Sequence, residues 1–591
     1  MVFVFLILAV AILLFLSDRL RPDVIAILVM LALGLSGLLD AQEVFSGFSR
    51  SAVITILAIF MLAEGLRRTG VTEMLGEALL KLGGKRESSL VLTVTLAGAV
   101  LSLFMNNIAA ASVLMPAILG IGRKSGVSPS RLLMPLAFGT ILGGMATLLT
   151  TANILVSGIL KQYKLEGFGL FDFAAVGLPI VLFGTLYMAL IGRKLLPAQA
   201  HPIAEPHSNT ETDLETLYQL EQRRIEGRVF KESPLAGQLV RDSQLRERFK
   251  LNLVAIQREG HTLSNICPET KILPGDVLHL LGRADWIAPH ALETVLELLP
   301  DSHTPHPSLA LVEAVLPPRS LFVGQTLREL HFREKYGLNV LAIWREGHPY
   351  RSNHNEMPLR FGDALLLQGP PEKIAILQTE PQLLVLARRV TVTQPKKALL
   401  AALLFLLTLL VAALSSLSIA EVMLGGAILM VLLGVLSMDQ AYQAVEWKSV
   451  FLIAGMLPLG IALDKTGAAA LLGQLLLRAI GDHSGLFLLA VLLAVTIAFT
   501  QVINGPAVAA ILAPIAIQMA YVSGADPRAL AMAVTLGTSV AFITPLGHPV
   551  NVLVMGPGGY KFRDYAKVGL PLTVILFIVM LIFLPLFWPL Y

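Results

Sequence analysis

The chain has 591 residues, 55% of them hydrophobic and only 15% charged, with a mean hydropathy of +0.72. Soluble domains carry about 25% charged residues, so the composition excludes a wholly soluble protein and points to a chain that faces lipid or packs on helices that do. The net charge of +4 names no partner, and no nucleic-acid-binding motif accompanies it; the single cysteine, Cys267, excludes an intrachain disulfide framework and suits a cytosolic segment.

In chain order, the first apolar run, Val2–Leu16, lacks a basic leader and is followed by Asp18-Arg19-Leu20-Arg21. It reads as a retained helix rather than a cleaved signal peptide. Further spans are predicted at 22–40, 51–66, 131–160 and 172–196, with an amphipathic, interfacial stretch at 69–84. Residues 88–122 hold two apolar pieces meeting at an Asn-bearing tip, which predicts a re-entrant hairpin, tolerated where backbone is buried in protein or lines a cavity. A polar insert, 198–395, interrupts the pattern. The apolar runs then resume at 397–414, 417–437, 448–464, 527–555 and 566–590, with a second amphipathic stretch at 466–481 and a second hairpin at 486–522. Glu64 and Asp464, beside Arg67-Arg68 and Lys465, are expected to snorkel or pair at the interface, outside the site.

The two apolar halves are copies. Asn106, Pro116, Gly126, Pro129, Gly139, Thr140 and Asn153 return as Asn504, Pro514, Gly524, Pro527, Gly537, Thr538 and Asn551. Five crossings and one hairpin per half turn the second copy upside down. With both termini outside, the outer loops carry only Arg50, Lys161, Lys164, Lys465, Arg478 and Arg528, and the other basic residues of the two halves fall inside. The fold class is an all-α polytopic membrane protein with inverted repeats (1–197 and 396–591) and re-entrant hairpins, and its insert is cytoplasmic.

The insert opens with a linker, 198–229, and holds two small α/β modules, 230–299 and 317–385, joined by 300–316. Ser233, Gly237, Arg258, Gly275 and Asp276 recur as Ser320, Gly324, Arg345, Gly362 and Asp363. Each module is predicted to run from a charged helical pattern (238–249, 325–335) into a strand (251–257, 338–344), then through a Gly-Asp turn into another strand (277–281, 364–368). Arg258 and Arg345 close a strand and could present a guanidinium to a small anionic ligand; a solvated turn is the plainer reading.

Chemistry-bearing residues concentrate at the tips and in two long spans. The tips read Met105-Asn106-Asn107-Ile108 and Ile503-Asn504-Gly505-Pro506. Asn offers a carbonyl to cations and an amide to anions, and helix N-termini aimed at one point bind anions without a buried cation. The spans 131–160 and 527–555 are too long for one crossing and carry polar breaks, Leu149-Thr150-Thr151-Ala152-Asn153 and Thr544-Pro545-Leu546-Gly547-His548-Pro549-Val550-Asn551. Unwound backbone beside Thr and Asn oxygens suits a small cation, with substrate at the adjoining helix ends. Substrate is assigned to Asn106, Asn107, Thr150, Asn504, Gly505 and His548. The coupling ion is assigned to Asn106, Thr151, Asn153, Asn504, Thr544 and Asn551. His548 binds an anion, carries a proton, or bonds a neighbouring carbonyl. No Walker loop, zinc spacing or nucleophile–base pair appears, so an enzyme is not expected.

At the tips and breaks both halves resemble the divalent-anion/sodium symporter family. Its pattern Thr-Pro-Ile-Gly-Thr-Pro-Pro-Asn followed by Gly-Pro-Gly-Gly-Tyr is similar to 544–551 and Gly556-Pro-Gly-Gly-Tyr560 here. The insert modules resemble the TrkA-C ligand-binding domain of potassium-conductance regulators. The resemblance implies a homodimer with elevator-type alternating access, sodium coupling and no other cofactor. It also implies a small cytosolic regulatory ligand at the modules and a sulfate, di- or tricarboxylate substrate. The family's Ser-Asn-Thr tip becomes Asn106-Asn107-Ile108 and Asn504-Gly505-Pro506. The expected function is therefore secondary active transport of a small anion, coupled to sodium or protons; a membrane solute sensor and a ligand-gated channel are the alternatives.

Overall fold

The computed structural model describes residues 1–17, 20–84, 86–197, 224–249, 251–258, 261–263, 269–281, 292, 294–299, 310–316, 320–345, 348–350, 354–377, 380, 382–385, 395–480 and 484–591. The chain is mostly helical and divides into two compact units, 1–199 with 388–591, and 200–387.

The first half of the helical unit contains α1 (Val2–Ser17), α2 (Pro22–Leu35), α3 (Ala41–Phe45), α4 (Ser51–Arg68), α5 (Val71–Lys81), α6 (Glu87–Ser102), α7 (Asn107–Ser125), α8 (Leu133–Gly144), α9 (Thr151–Gln162) and α10 (Ala174–Leu195). Pro22 opens α2, where a missing N–H costs nothing. The helix α3 lies outside every predicted span, and its signal is the capping box of Asp40 and Glu43. Glu64, in the last turn of α4, accepts hydrogen bonds from Arg67 and Arg68. Close packing of α6 on α8 requires glycine. A Cβ at Gly139 would stand 2.2 Å from the Thr95 carbonyl oxygen, and one at Gly143 would stand 2.1 Å from that of Ala99.

The second unit holds two five-stranded antiparallel sheets of one topology. The first comprises β1 (Arg224–Arg228), α11 (Leu245–Phe249), β2 (Asn252–Arg258), β3 (His261–Leu263), β4 (Val277–Leu281) and β5 (Glu297–Leu298), in order β3-β2-β4-β1-β5. The second repeats it with β6 (Ala310–Val315), α12 (Phe332–Tyr336), β7 (Asn339–Arg345), β8 (His348–Tyr350), β9 (Ala364–Gly369), α13 (Pro371–Leu377) and β10 (Leu384–Val385), in order β10-β6-β9-β7-β8. Two expectations change. Each sheet takes in a strand, β1 or β6, upstream of the predicted starts at 230 and 317. The long charged helices shrink to the five-residue α11 and α12: Gly237 and Gly324, just ahead of the predicted helices, adopt φ +87°, and Leu239 pairs with Lys271 instead of entering a helix. The predicted strands fall within a residue or two of β2, β4, β7 and β9.

Arg258 and Arg345 bind inward. Arg345 donates Nε and Nη2 to the two oxygens of Asp363, at 2.8 and 2.6 Å, and Nη2 also donates to the Pro358 carbonyl. Arg258 repeats this on Asp276 and the Lys271 carbonyl. The pairs fasten the ends of β2 and β7 to the turns before β4 and β9. Asp363 is 1% exposed, so Arg345→Ala strands a buried carboxylate and is expected to cost about 3 kcal/mol. Hydrogen exchange of β7 and β9 in the full-length protein checks this, with a smaller loss expected at the more exposed Arg258.

The second half of the helical unit runs α14 (Ala398–Leu414), α15 (Ile419–Leu432), α16 (Met438–Ala444), α17 (Trp447–Lys465), α18 (Ala468–Ile480), α19 (Gly485–Thr500), α20 (Gly505–Ser523), α21 (Pro527–Gly537), α22 (Pro549–Gly558) and α23 (Phe562–Phe587). The element order of the first half recurs, down to α16, which like α3 starts at a capping box, here Ser437 and Gln440. Among the described residues, five helices are long and apolar enough to cross a membrane: 41–68, 174–195, 447–465, 505–523 and 562–587. One predicted pairing changes: Asp464 accepts from Gln518 Nε2 at 2.7 Å, while Lys465 bridges to Glu43 at 2.5 Å.

Candidate functional site

Most recurring residues shape the two hairpins and the two interrupted helices. Asn106 and Asn504 stand just before the second hairpin arms, α7 and α20, and cap them. Asn106 Oδ1 accepts from the Ile108 N–H at 2.8 Å, and Asn504 Oδ1 accepts from that of Ala507 at 3.1 Å. Gly126 and Gly524 follow the arms in the left-handed region, at φ +70° and +73°. Pro129 and Pro527 open the next turn and helix. The Thr140 and Thr538 hydroxyls donate to carbonyls three residues back.

Asn153 and Asn551 do something else. The first interruption is 145–150, between α8 and α9; the second is 538–548, between α21 and α22. Asn153 donates its amide to the Thr147 carbonyl at 2.5 Å, and Asn551 donates to Ala541 at 2.8 Å and Thr544 at 3.3 Å. Each amide thus clamps the unwound backbone beside it. Both side chains are buried, at 1% and 0% exposed, and both Oδ1 atoms lack any partner. A buried acceptor left unpaired costs about 1–3 kcal/mol, yet the arrangement occurs at both interruptions. The Thr150 hydroxyl, at the N-cap of α9, is a third buried oxygen without a partner. Thr151, the first residue of α9, is half-buried.

The interruptions meet the tips. Asn107 accepts from the Ser102 hydroxyl, and its Nδ2 lies 3.1 Å from His548 Nε2, joining the first tip to the second interruption across 441 positions. His548 also caps α22, its Nδ1 accepting from the Val550 N–H at 3.2 Å. Gly144 brings the first interruption to the same place, since a Cβ there would stand 3.0 Å from Asn107 Oδ1 and 3.2 Å from Thr150 Cγ2. The second tip seats on its own interruption, where a Cβ at Gly505 would meet the Thr538 carbonyl at 2.6 Å. Asn106 does not join this cluster. Its Nδ2 faces Glu446 Oε2, ahead of α17, at 3.4 Å.

A family model described as citrate transporter, CitMHS, matches residues 12–537. The chain belongs to that family. The transporter is 33% identical over 605 residues to the uncharacterised transporter YfbS of Escherichia coli, with 100% of this chain and 99% of that one covered. It is 33% identical to an uncharacterised transporter of Synechocystis sp., covering 96% and 94% of the two chains. Sodium/sulfate cotransporter 2 of Chlamydomonas reinhardtii is 26% identical over 60% of this chain and 42% of its own length. Among solved structures, the YdaH transporter of Alcanivorax borkumensis aligns with a TM-score of 0.44 at 14% identity over 98% of each chain.

Two features of this transporter's site have roles that its sequence does not announce: Gln501 goes unread, and Tyr560 reads as part of a motif with no role. Gln501 sits at the second tip where the first has Leu103. Its Nε2 donates to the Val540 carbonyl at 2.7 Å, its Oε1 accepts from the Ile543 N–H at 3.1 Å, and its backbone carbonyl accepts from the Thr544 hydroxyl at 2.6 Å. The second tip is therefore bolted to its interruption, and the Thr544 hydroxyl is spent there. Gln501 has no polar counterpart in the first copy, so repetition does not mark it. The second feature is Tyr560, whose hydroxyl donates to the Ser130 carbonyl at 2.7 Å and accepts from the Met134 N–H at 2.8 Å. The Gly-Gly before it has a steric cause. Gly559 takes φ +65°, and a Cβ at Gly558 would stand 2.2 Å from the Tyr560 ring.

Proposed function

We propose that the chain is a secondary active transporter of a small multivalent oxyanion of the sulfate, di- or tricarboxylate class, driven by sodium or protons. The observation that carries this reading is the matched pair Asn153 and Asn551: each amide clamps an interruption, and each carbonyl oxygen is buried and unpaired. Neutral oxygens of this kind suit a hard monovalent or divalent cation. The coupling ion is assigned to Asn153 with Thr150 and Thr151, and to Asn551. Thr544 orders the loop beside it. Substrate is assigned to Asn107 and His548, at the N-terminal ends of α7 and α22, with Gly505 and Asn504 shaping the second tip and Asn106 flanking the first. Support comes from the citrate transporter family and from relatives named sodium/sulfate cotransporters.

In this reading the halves are inverted, the protein is a homodimer in the cell membrane, both termini are outside, and alternating access is of the elevator type. The insert is cytoplasmic, and its TrkA-C-like modules bind a small ligand that biases one conformation, which requires different affinities for the two states. Arg258 and Arg345 act there through the turns they fix, since Asp276 and Asp363 hold their guanidinium groups.

Uptake of radiolabelled sulfate, C4 and C6 carboxylates into proteoliposomes under imposed sodium or proton gradients tests the proposal. Gradient-driven accumulation of one of them is expected, and absence of accumulation for all three classes under either gradient sinks it. Replacing 216–385 by a short linker is expected to alter the rate while leaving the order of substrate preference unchanged. A reordered preference would place the modules on the transport path.

A further inference from the structure

A cavity of about 720 Å³, away from the tips and interruptions, lies in the helical unit and is lined by helix ends rather than helix middles. Lys161 ends α9, Ser418 and Ile419 begin α15, Arg528 begins α21, and Phe587 ends α23. Six apolar helices end around it, counting α10, whose first turn gives Ala175, and α14, whose last turn gives Ala412. That places the cavity where a bilayer gives way to water. Its rim is apolar and open: Phe171 is 64%, Leu417 57% and Phe587 49% exposed.

The polar groups inside carry both charges. Arg528 reaches Glu166 through Nη1 at 3.1 Å and Asp172 through Nη2 at 3.4 Å, and its guanidinium lies 4.9 Å from the Trp588 ring centroid. Its Nε is buried and has no partner. The Ser415 hydroxyl, on the same cavity, is likewise buried and unpaired. Ser418 makes no side-chain cap to α15, so the first N–H groups of that helix also lack one. With Lys161 the lining holds two cations and two carboxylates, so a free anion entering here would meet two unsatisfied donors but also two like charges. A zwitterion matches a lining whose charges are balanced.

We infer that this cavity holds the headgroup of an aminophospholipid. The phosphate takes Arg528 Nε and the Ser415 hydroxyl, and the ammonium takes Glu166, which at 82% exposed keeps lone pairs to spare, and Asp172. The apolar rim meets the glycerol and upper acyl chains. A choline headgroup has no N–H to donate and leaves the carboxylates unmatched, so the site selects ethanolamine or serine. The position gives the lipid a purpose. The α14–α15 pair packs on α4, whereas α21 packs on α19, α20 and α9, and the headgroup bridges the two groups of helices. The inference does not rest on the proposed substrate or coupling ion.

Native mass spectrometry of the full-length protein, with phosphatidylethanolamine and phosphatidylcholine of identical acyl chains added in competition, tests it by binding alone. The wild type is expected to retain one phosphatidylethanolamine with about tenfold preference, the lower end of what one hydrogen bond to a charged group is worth. Ser415→Ala, which leaves every ion pair intact, is expected to lower retention of both lipids, and Glu166→Gln combined with Asp172→Asn is expected to lose the preference. Equal retention of the two lipids by the wild type, unchanged retention by Ser415→Ala, or unchanged preference in the carboxylate variant overturns the inference. So does displacement of the lipid by millimolar sulfate, which would hand the cavity to a free oxyanion.

Discussion

Asn551→Ala and Asn153→Ala are each expected to cut cation-driven uptake by about a hundredfold, since a charged ligand contact is worth up to about 3 kcal/mol. Two losses combine in each variant. The amide no longer holds the Ala541 and Thr544 carbonyls, or that of Thr147, and the buried, unpaired carbonyl oxygen offered to a cation disappears. The two losses are separable. Loss of the ligand raises the sodium concentration needed for half-maximal uptake, while loss of the clamp lowers the maximal rate at saturating sodium. Size-exclusion chromatography checks that each variant still folds. If both variants fold and keep the wild-type sodium dependence, the cation assignment is wrong. The equivalence of the two positions makes a further demand: either substitution alone should suffice, because transport needs both ions or the intact geometry of both interruptions.

The second large effect is expected at His548. His548→Ala removes the Nε2 contact to Asn107 and the cap on α22, and is expected to raise the substrate KM more than about tenfold, corresponding to a loss of at least about 1.4 kcal/mol. His548→Asn separates the two roles. Asparagine is among the best N-caps, so it preserves the start of α22, but it is too short to reach Asn107. If the contact to Asn107 shapes the anion site, the asparagine variant behaves like the alanine one in KM. If the asparagine variant recovers wild-type KM, His548 is a cap and nothing more. Sodium dependence is expected to stay at its wild-type value in both, since the orphan oxygens belong to other residues.

Much of this was legible in the chain. The helices at 2–17, 51–68, 398–414 and 447–465 follow from hydropathy, because a bilayer allows no unpaired backbone and so demands long apolar helices. The hairpins were marked by their Asn tips and by Gly126 and Gly524, which only the left-handed region explains. The small helices α3 and α16 escaped because they are too short for hydropathy, although Asp40-x-x-Glu43 and Ser437-x-x-Gln440 announced them. The charged helices expected in the modules were misread. Their polar periodicity resembled a helix, but Gly237 and Gly324 turn the chain first.

The sequence by itself determined that the chain is a duplicated membrane protein with a duplicated polar insert, and it pointed to Asn106, Asn153, Asn504, Asn551 and His548. Repetition and hydropathy are local quantities, and each residue carries them wherever the chain goes. The tertiary structure decided how those polar atoms are spent. Asn504 and Asn106 turn to their own helix ends, Gln501 consumes the Thr544 hydroxyl, and Asp363 and Asp276 claim the two arginines. Asn107 finds His548 from the other half, and the Asn153 and Asn551 oxygens are left over. A hydrogen bond depends on ångström distances between groups hundreds of positions apart, so only the packed helices could say which donors and acceptors remain for a ligand.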